Sequence, residues 1–106
     1  MALAFLLHEN LRGPLWRAIE LHNRRGSLPL DVIRVGDADE LPLGTTDAEV
    51  LAWADQANKI LVSCDRSTLP DELAQRLTRG ERCPGILLLR RSAKISAVVE
   101  FLALVA

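Results

Sequence analysis

Four short apolar runs, each followed by a segment with helical spacing, constrain this chain more than any other feature. Leu3 to Leu7 is a continuous apolar run, the pattern of a strand buried on both faces. After it Leu11, Leu15 and Ile19 recur every four residues, which predicts one face of a helix. Pro14 falls in its first turn, where a missing N–H is tolerated, and Asn10 is the expected N-cap. The helix should fade at Arg24, Arg25 and Gly26, before a second strand at Asp31 to Val35.

The pattern then repeats. Gly36 to Thr45 is rich in Gly, Asp and Pro and reads as a loop. Thr46 and Glu49 form a capping-box signature for a helix from Asp47 to about Ala57, with Val50, Trp53, Ala54 and Ala57 inward. Ile60 to Ser63 is a third strand, and a helix with Leu69, Leu73 and Leu77 on one face follows Thr68 and stops at Gly80. Pro84 and Gly85 precede a fourth strand at Ile86 to Leu89. Ile95, Val98, Val99, Leu102 and Val105 describe a last helix.

Strands alternating with helices imply parallel strands joined by right-handed crossovers. The expected architecture is a three-layer α/β/α sandwich around a mainly parallel four-stranded sheet. With 106 residues the chain has room for one core and reads as a single domain over residues 1–106. Apolar residues at 49% and charged residues at 25% exclude the disordered class, and a net charge of −1 gives no global pull toward nucleic acid. Any basic footprint must therefore be local. The longest apolar stretch is broken by Lys94 and Glu100 and is too short to span a bilayer, so no membrane partner is expected. Cys64 and Cys83 lack metal or redox spacing, and the first residues lack a signal-peptide pattern, so a reduced, cytoplasmic setting is the expectation.

Open parallel α/β sheets bind ligands beyond the carboxyl ends of their strands. Glu9 follows the first strand, Asp65 follows the third, and Asp47 opens the helix after the second, so all three carboxylates belong on that edge. Asp37, Asp39 and Glu40 lie in a loop on the same edge. Carboxylates gathered by topology suit a hard divalent cation, because like charges a few ångströms apart do not all stay ionised cheaply. The structural alternative is that Asp47 answers a helix macrodipole, Asn10 is a cap and Asp65 is a turn residue.

The segments FLLHEN, LGTTDAEVLAWA and ILVSCDRSTLPDELAQRLTRGERCPGILLL together resemble the small PIN-like domains of the DUF5615 group, related to metal-dependent PIN ribonucleases. The resemblance covers nearly the whole chain. It implies an acidic pocket that binds Mg²⁺ or Mn²⁺ and cleaves single-stranded RNA, often as the toxin of a toxin–antitoxin pair. Carried over by position, it makes Glu9, Asp47 and Asp65 the catalytic and metal-binding carboxylates, with Asn10, Ser67 and Thr68 in support. His8 stands where the family's first aspartate is usual. Imidazole can ligate a divalent metal but brings no negative charge, so Mg²⁺ binding should weaken, and a module that kept the fold and lost the chemistry is the alternative.

By topology Arg12, Arg66, Arg90 and Arg91 fall on the acidic edge, where they would contact phosphates. Arg24, Arg25, Arg76, Arg79 and Arg82 fall toward the other. With 4% aromatics, base stacking is a poor expectation, and Trp16 and Trp53 are read as helix–sheet packing. Cys64 is read as a small buried residue. Ala97, Phe101 and Leu104 add a second apolar stripe to the last helix, the expected face for a homodimer or an antitoxin. A phosphoacceptor receiver domain, with Asp65 ending its third strand, is disfavoured because paired aspartates are missing after the first strand.

Overall fold

The computed structural model describes residues 3–11, 13–25, 29–65, 67–82 and 85–106. Among them, strands β1 (Ala4–Leu7), β2 (Asp31–Arg34), β3 (Ile60–Ser63) and β4 (Ile86–Leu88) alternate with helices α1 (Pro14–Arg25), α2 (Asp47–Gln56), α3 (Thr68–Thr78) and α4 (Ile95–Val105). All strand pairings are parallel, in the order β2-β1-β3-β4. Connections from β1 run first to one side and then to the other, so the strand order reverses beside β1.

The sheet separates two cores. Phe5, Leu7 and Val62 pack with Leu15 and Ile19 of α1 and Val98, Val99 and Leu102 of α4. Leu6 and Leu61 project the other way, against Val50, Leu51 and Ala54 of α2 and Leu69 of α3. Successive strand residues point to opposite faces, so continuous apolar runs are what a sheet covered on both sides requires. The molecule is the expected three-layer sandwich. Trp16 and Trp53 pack partly buried against the two cores, as expected.

Several boundaries differ from the sequence-based expectation, each for a local reason. Asn10 does not cap α1: Glu9–Leu11 forms a separate 3-10 turn, closed by Leu11 N–H donating to His8 O at 2.9 Å. Proline disfavours helical backbone in the residue before it, so α1 begins at Pro14, and the Gly13 carbonyl accepts its first bond from Arg17 N–H at 3.2 Å. Thr46 does cap α2, its hydroxyl accepting from Glu49 N–H at 3.3 Å. Ala57 is that helix's exposed C-cap, and Leu51 fills the core instead.

Leu77, expected inward, is 61% exposed. The end of α3 is held by Arg76, whose guanidinium donates to Arg82 O and pairs with Glu81 at 3.0 Å. Gly80 ends the helix at φ +75°, as the stop signal required. Gly26 and Pro84, expected as boundaries, lie outside the described residues. No helix among the described residues is long and apolar enough to cross a membrane.

Candidate functional site

His8 is the first residue past β1, and its N–H donates to Val62 O at 2.9 Å, continuing the β1–β3 ladder. Since Leu7 is level with Val62, the next step places His8 beside Ser63. Both therefore sit at the carboxyl edge where the strand order reverses, the position at which open α/β sheets bind ligands.

A continuous hydrogen-bonded network follows. Ser63 Oγ, fully buried, accepts from Asp65 N–H at 3.0 Å and from Asn10 Nδ2 at 3.4 Å. Its own proton is then free for His8 Nδ1, 3.4 Å away, which makes Nδ1 the acceptor and leaves the ring proton on Nε2. Nε2 donates to Asp47 Oδ1 at 3.1 Å. The connectivity matches that of a serine nucleophile, its base and an orienting carboxylate, but a Ser63 side chain with no exposed surface is not open to a substrate. The network works as a scaffold. It fixes the rotamer of Asp47 from within the sheet.

Asp65 is used twice. Oδ1 accepts from Ser67 N–H at 2.8 Å, Ser67 Oγ at 3.0 Å and Thr68 N–H at 3.2 Å, which satisfies the opening turn of α3. Oδ2 faces Thr68 Oγ1 at 2.5 Å, and the same hydroxyl lies 2.9 Å from Asp47 Oδ2. Thr68 thus joins two carboxylates from different elements. The Thr68 hydroxyl, followed by the Ser67 backbone N–H and the further donors of this turn, holds the Asp65 carboxyl well below the usual carboxylate range.

That shift has a stability consequence with a definite sign. A carboxylate whose folded pKa is depressed stabilises the fold above its unfolded value, about 3.9, and loses that contribution as pH falls through the folded pKa. In urea melts, the advantage of the wild type over Asp65→Asn is expected to hold from pH 7 to about 4 and to shrink below it. An advantage independent of pH down to strongly acidic solution would contradict the assignment.

The structure treats the other expected site residues unequally. Glu9 is engaged by the backbone: its Oε1 accepts from Gly44 N–H at 2.5 Å, tying the 3-10 turn to the loop before α2. Both ring nitrogens of His8 have protein partners. Asn10 and Thr68 belong to the network, and Ser67 serves Asp65. Asp37 pairs with Arg34 at 3.0 Å, and the Arg34 guanidinium lies 4.4 Å from the Trp16 ring centroid. Arg90 and Arg91 line a cleft that Asp65 also lines, and Cys64 reaches the same cleft half-buried. Arg12, Arg66 and Cys83 lie outside the described residues.

Among the described residues, no group of three or more His, Cys, Asp or Glu side chains is disposed to hold a metal ion. The donor set that converges is smaller: Asp47 Oδ2 and Asp65 Oδ2 around one hydroxyl. Two carboxylates with retained waters fit Mg²⁺ or Mn²⁺, which are commonly held that way. The sequence patterns did not single out Ser63 or Gly44. Ser63 left a weak signal, a hydroxyl closing an apolar strand level with His8, and it becomes legible only with the β1–β3 register. Compared with protein-family models, curated proteins and solved structures, the chain finds no match.

Proposed function

We propose that this protein is a metal-dependent ribonuclease of PIN-like type acting on single-stranded RNA, with Asp47 and Asp65 holding Mg²⁺ or Mn²⁺. One observation carries the reading. Thr68 Oγ1 lies within hydrogen-bonding distance of both Asp47 Oδ2 and Asp65 Oδ2, yet a hydroxyl has one proton to give. One of the two close oxygen–oxygen contacts is left without a hydrogen between its atoms. A cation between the carboxylates would relieve that repulsion, and Asp65 is held ionised, ready to receive it.

In this reading His8 is a positioning residue. Its Nε2–H fixes Asp47 Oδ1, so that Oδ2 faces Thr68 and Asp65. The cation would supply Lewis-acid stabilisation of the charge that develops on phosphate. Glu9 would steady the loop that delivers Asp47. Phe101, Leu104 and Val105, exposed on α4, support a protein partner, either an antitoxin or a second copy of the chain.

The reading is tested by Mn²⁺ and Mg²⁺ titration, followed by thermal melting and by cleavage of single-stranded RNA. Expected are a rise in melting temperature and cleavage, both lost in Asp47→Asn. The absence of both a melting shift and cleavage, with either ion, would defeat it. The second reading, a catalytically degenerate module that binds protein or nucleic acid, is favoured by the engagement of His8 and Glu9 with protein partners, which leaves few free ligands.

His8→Asp separates the two. A further carboxylate beside Asp47, together with the loss of the hydrogen bond from Ser63, should lower the melting temperature of the metal-free protein. If the edge binds cations, Mn²⁺ should raise the melting temperature of this variant more than that of the wild type, because charge count drives affinity for hard ions. A variant destabilised to the same extent with and without Mn²⁺ would favour the degenerate module.

A further inference from the structure

Asp65 has a second side. On the α1 and α4 face of the sheet it lines a cleft of about 550 Å³, within the ordinary range for ligand sites. Leu15, Leu89, Ile95 and Val98 supply apolar walls. At the mouth, Arg90 and Arg91 follow β4, are exposed, and make no side-chain hydrogen bond or ion pair among the described residues. Arg34, Arg76, Arg79 and Arg82 approach carboxylates, whereas Arg17, Arg24 and Arg25 are unpaired among the described residues, like Arg90 and Arg91, but do not line this cleft. A cleft with apolar walls that is also lined by two consecutive arginines without side-chain partners among the described residues fits a ligand with an apolar body and an anionic group beside it. Guanidinium forks are well matched to phosphate.

We propose that this cleft receives one nucleotide of a single strand, its base against the aliphatic walls and its neighbouring phosphate on Arg90 and Arg91. The inference takes its ligand class from the ribonuclease reading and adds where the strand lies: beside Asp65, entering over the β4–α4 turn. A base held there is buried without being read by hydrogen bonds along its edge, so all four bases fit and cleavage has little sequence preference.

The test is binding of fluorescently labelled octauridylate in EDTA, which separates it from any metal-dependent step. Arg90→Gln/Arg91→Gln removes the charges that would hold the phosphate. Ala93→Trp places an indole in the cleft from an exposed position in its lining, with melting temperature as a control for folding. The double Gln variant is expected to weaken binding about tenfold and to reduce the slope of log affinity against log salt by about 0.7, the value for one phosphate charge no longer neutralised on a single strand. Ala93→Trp should weaken binding with the melting temperature unchanged.

An affinity unchanged in either variant overturns the proposal, as does a wild-type protein that fails to bind octauridylate in EDTA. Binding that depends on the cleft, without cleavage in Mn²⁺, would defeat the ribonuclease reading and leave the cleft standing. Cleavage with an unaltered KM in both variants would remove the cleft alone.

Discussion

Asp65→Asn is expected to reduce metal-dependent RNA cleavage by about 10³-fold, since a cation's stabilisation of transition-state charge is worth several kcal/mol and each 1.36 kcal/mol is tenfold in rate. The substitution preserves the acceptor oxygen that serves Ser67 and Thr68 at the start of α3, so the fold should survive near neutral pH. What it removes is the negative charge facing Asp47 across Thr68. Asp47→Asn should cost a similar factor. The informative measurement is the double variant. If both side chains hold one ion, either substitution alone releases it, and the double variant should be no more than about threefold worse than the poorer single. Losses that multiply would mean that the two carboxylates act separately.

The second large effect concerns the scaffold. Leu6→Ala should destabilise the protein by about 2–5 kcal/mol, because Leu6 is fully buried in the middle of the sheet and the cavity left among Leu61, Val50 and Leu51 has little freedom to collapse. At about 4–8 °C per kcal/mol for a domain of this size, the melting temperature should fall by at least about 8 °C. Leu104→Ala, at a position 84% exposed on α4, should change stability by no more than about 0.5 kcal/mol. Equal effects at the two positions would mean that α4 is covered in solution, which sedimentation would reveal as a second copy.

That contrast marks the limit of periodicity. Leu6 lies in a short continuous run whose burial on both faces follows from the alternation of strands and helices. Leu104 lies in a helix whose apolar residues occupy more than one stripe, and spacing alone does not say which stripe meets the sheet. In the fold, the inner face of α4 is formed by Val98, Val99 and Leu102. Leu77 shows the same limit, because α3 packs through Leu69 and its last turn buries Arg76 rather than Leu77.

The site divides along similar lines. Asp47 and Asp65 were legible because local signals fixed them: a Thr cap in front of one, and a strand end followed by a helix start around the other. Their placement on one edge followed from the parallel direction of the strands, which leaves their carboxyl ends on a single side. Element types, strand direction and the edge carrying the acidic residues were thus settled by the amino-acid sequence itself, through interactions within a few positions and the strand–helix alternation that makes the strands parallel. The partners of His8, the turning of Glu9 toward Gly44 and the cleft beside Asp65 were decided only by tertiary structure. His8 meets Asp47 across 39 positions and Ser63 across 55, and Glu9 reaches Gly44 across 35. Those contacts depend on strand register and on where loops close, and no local preference encodes them.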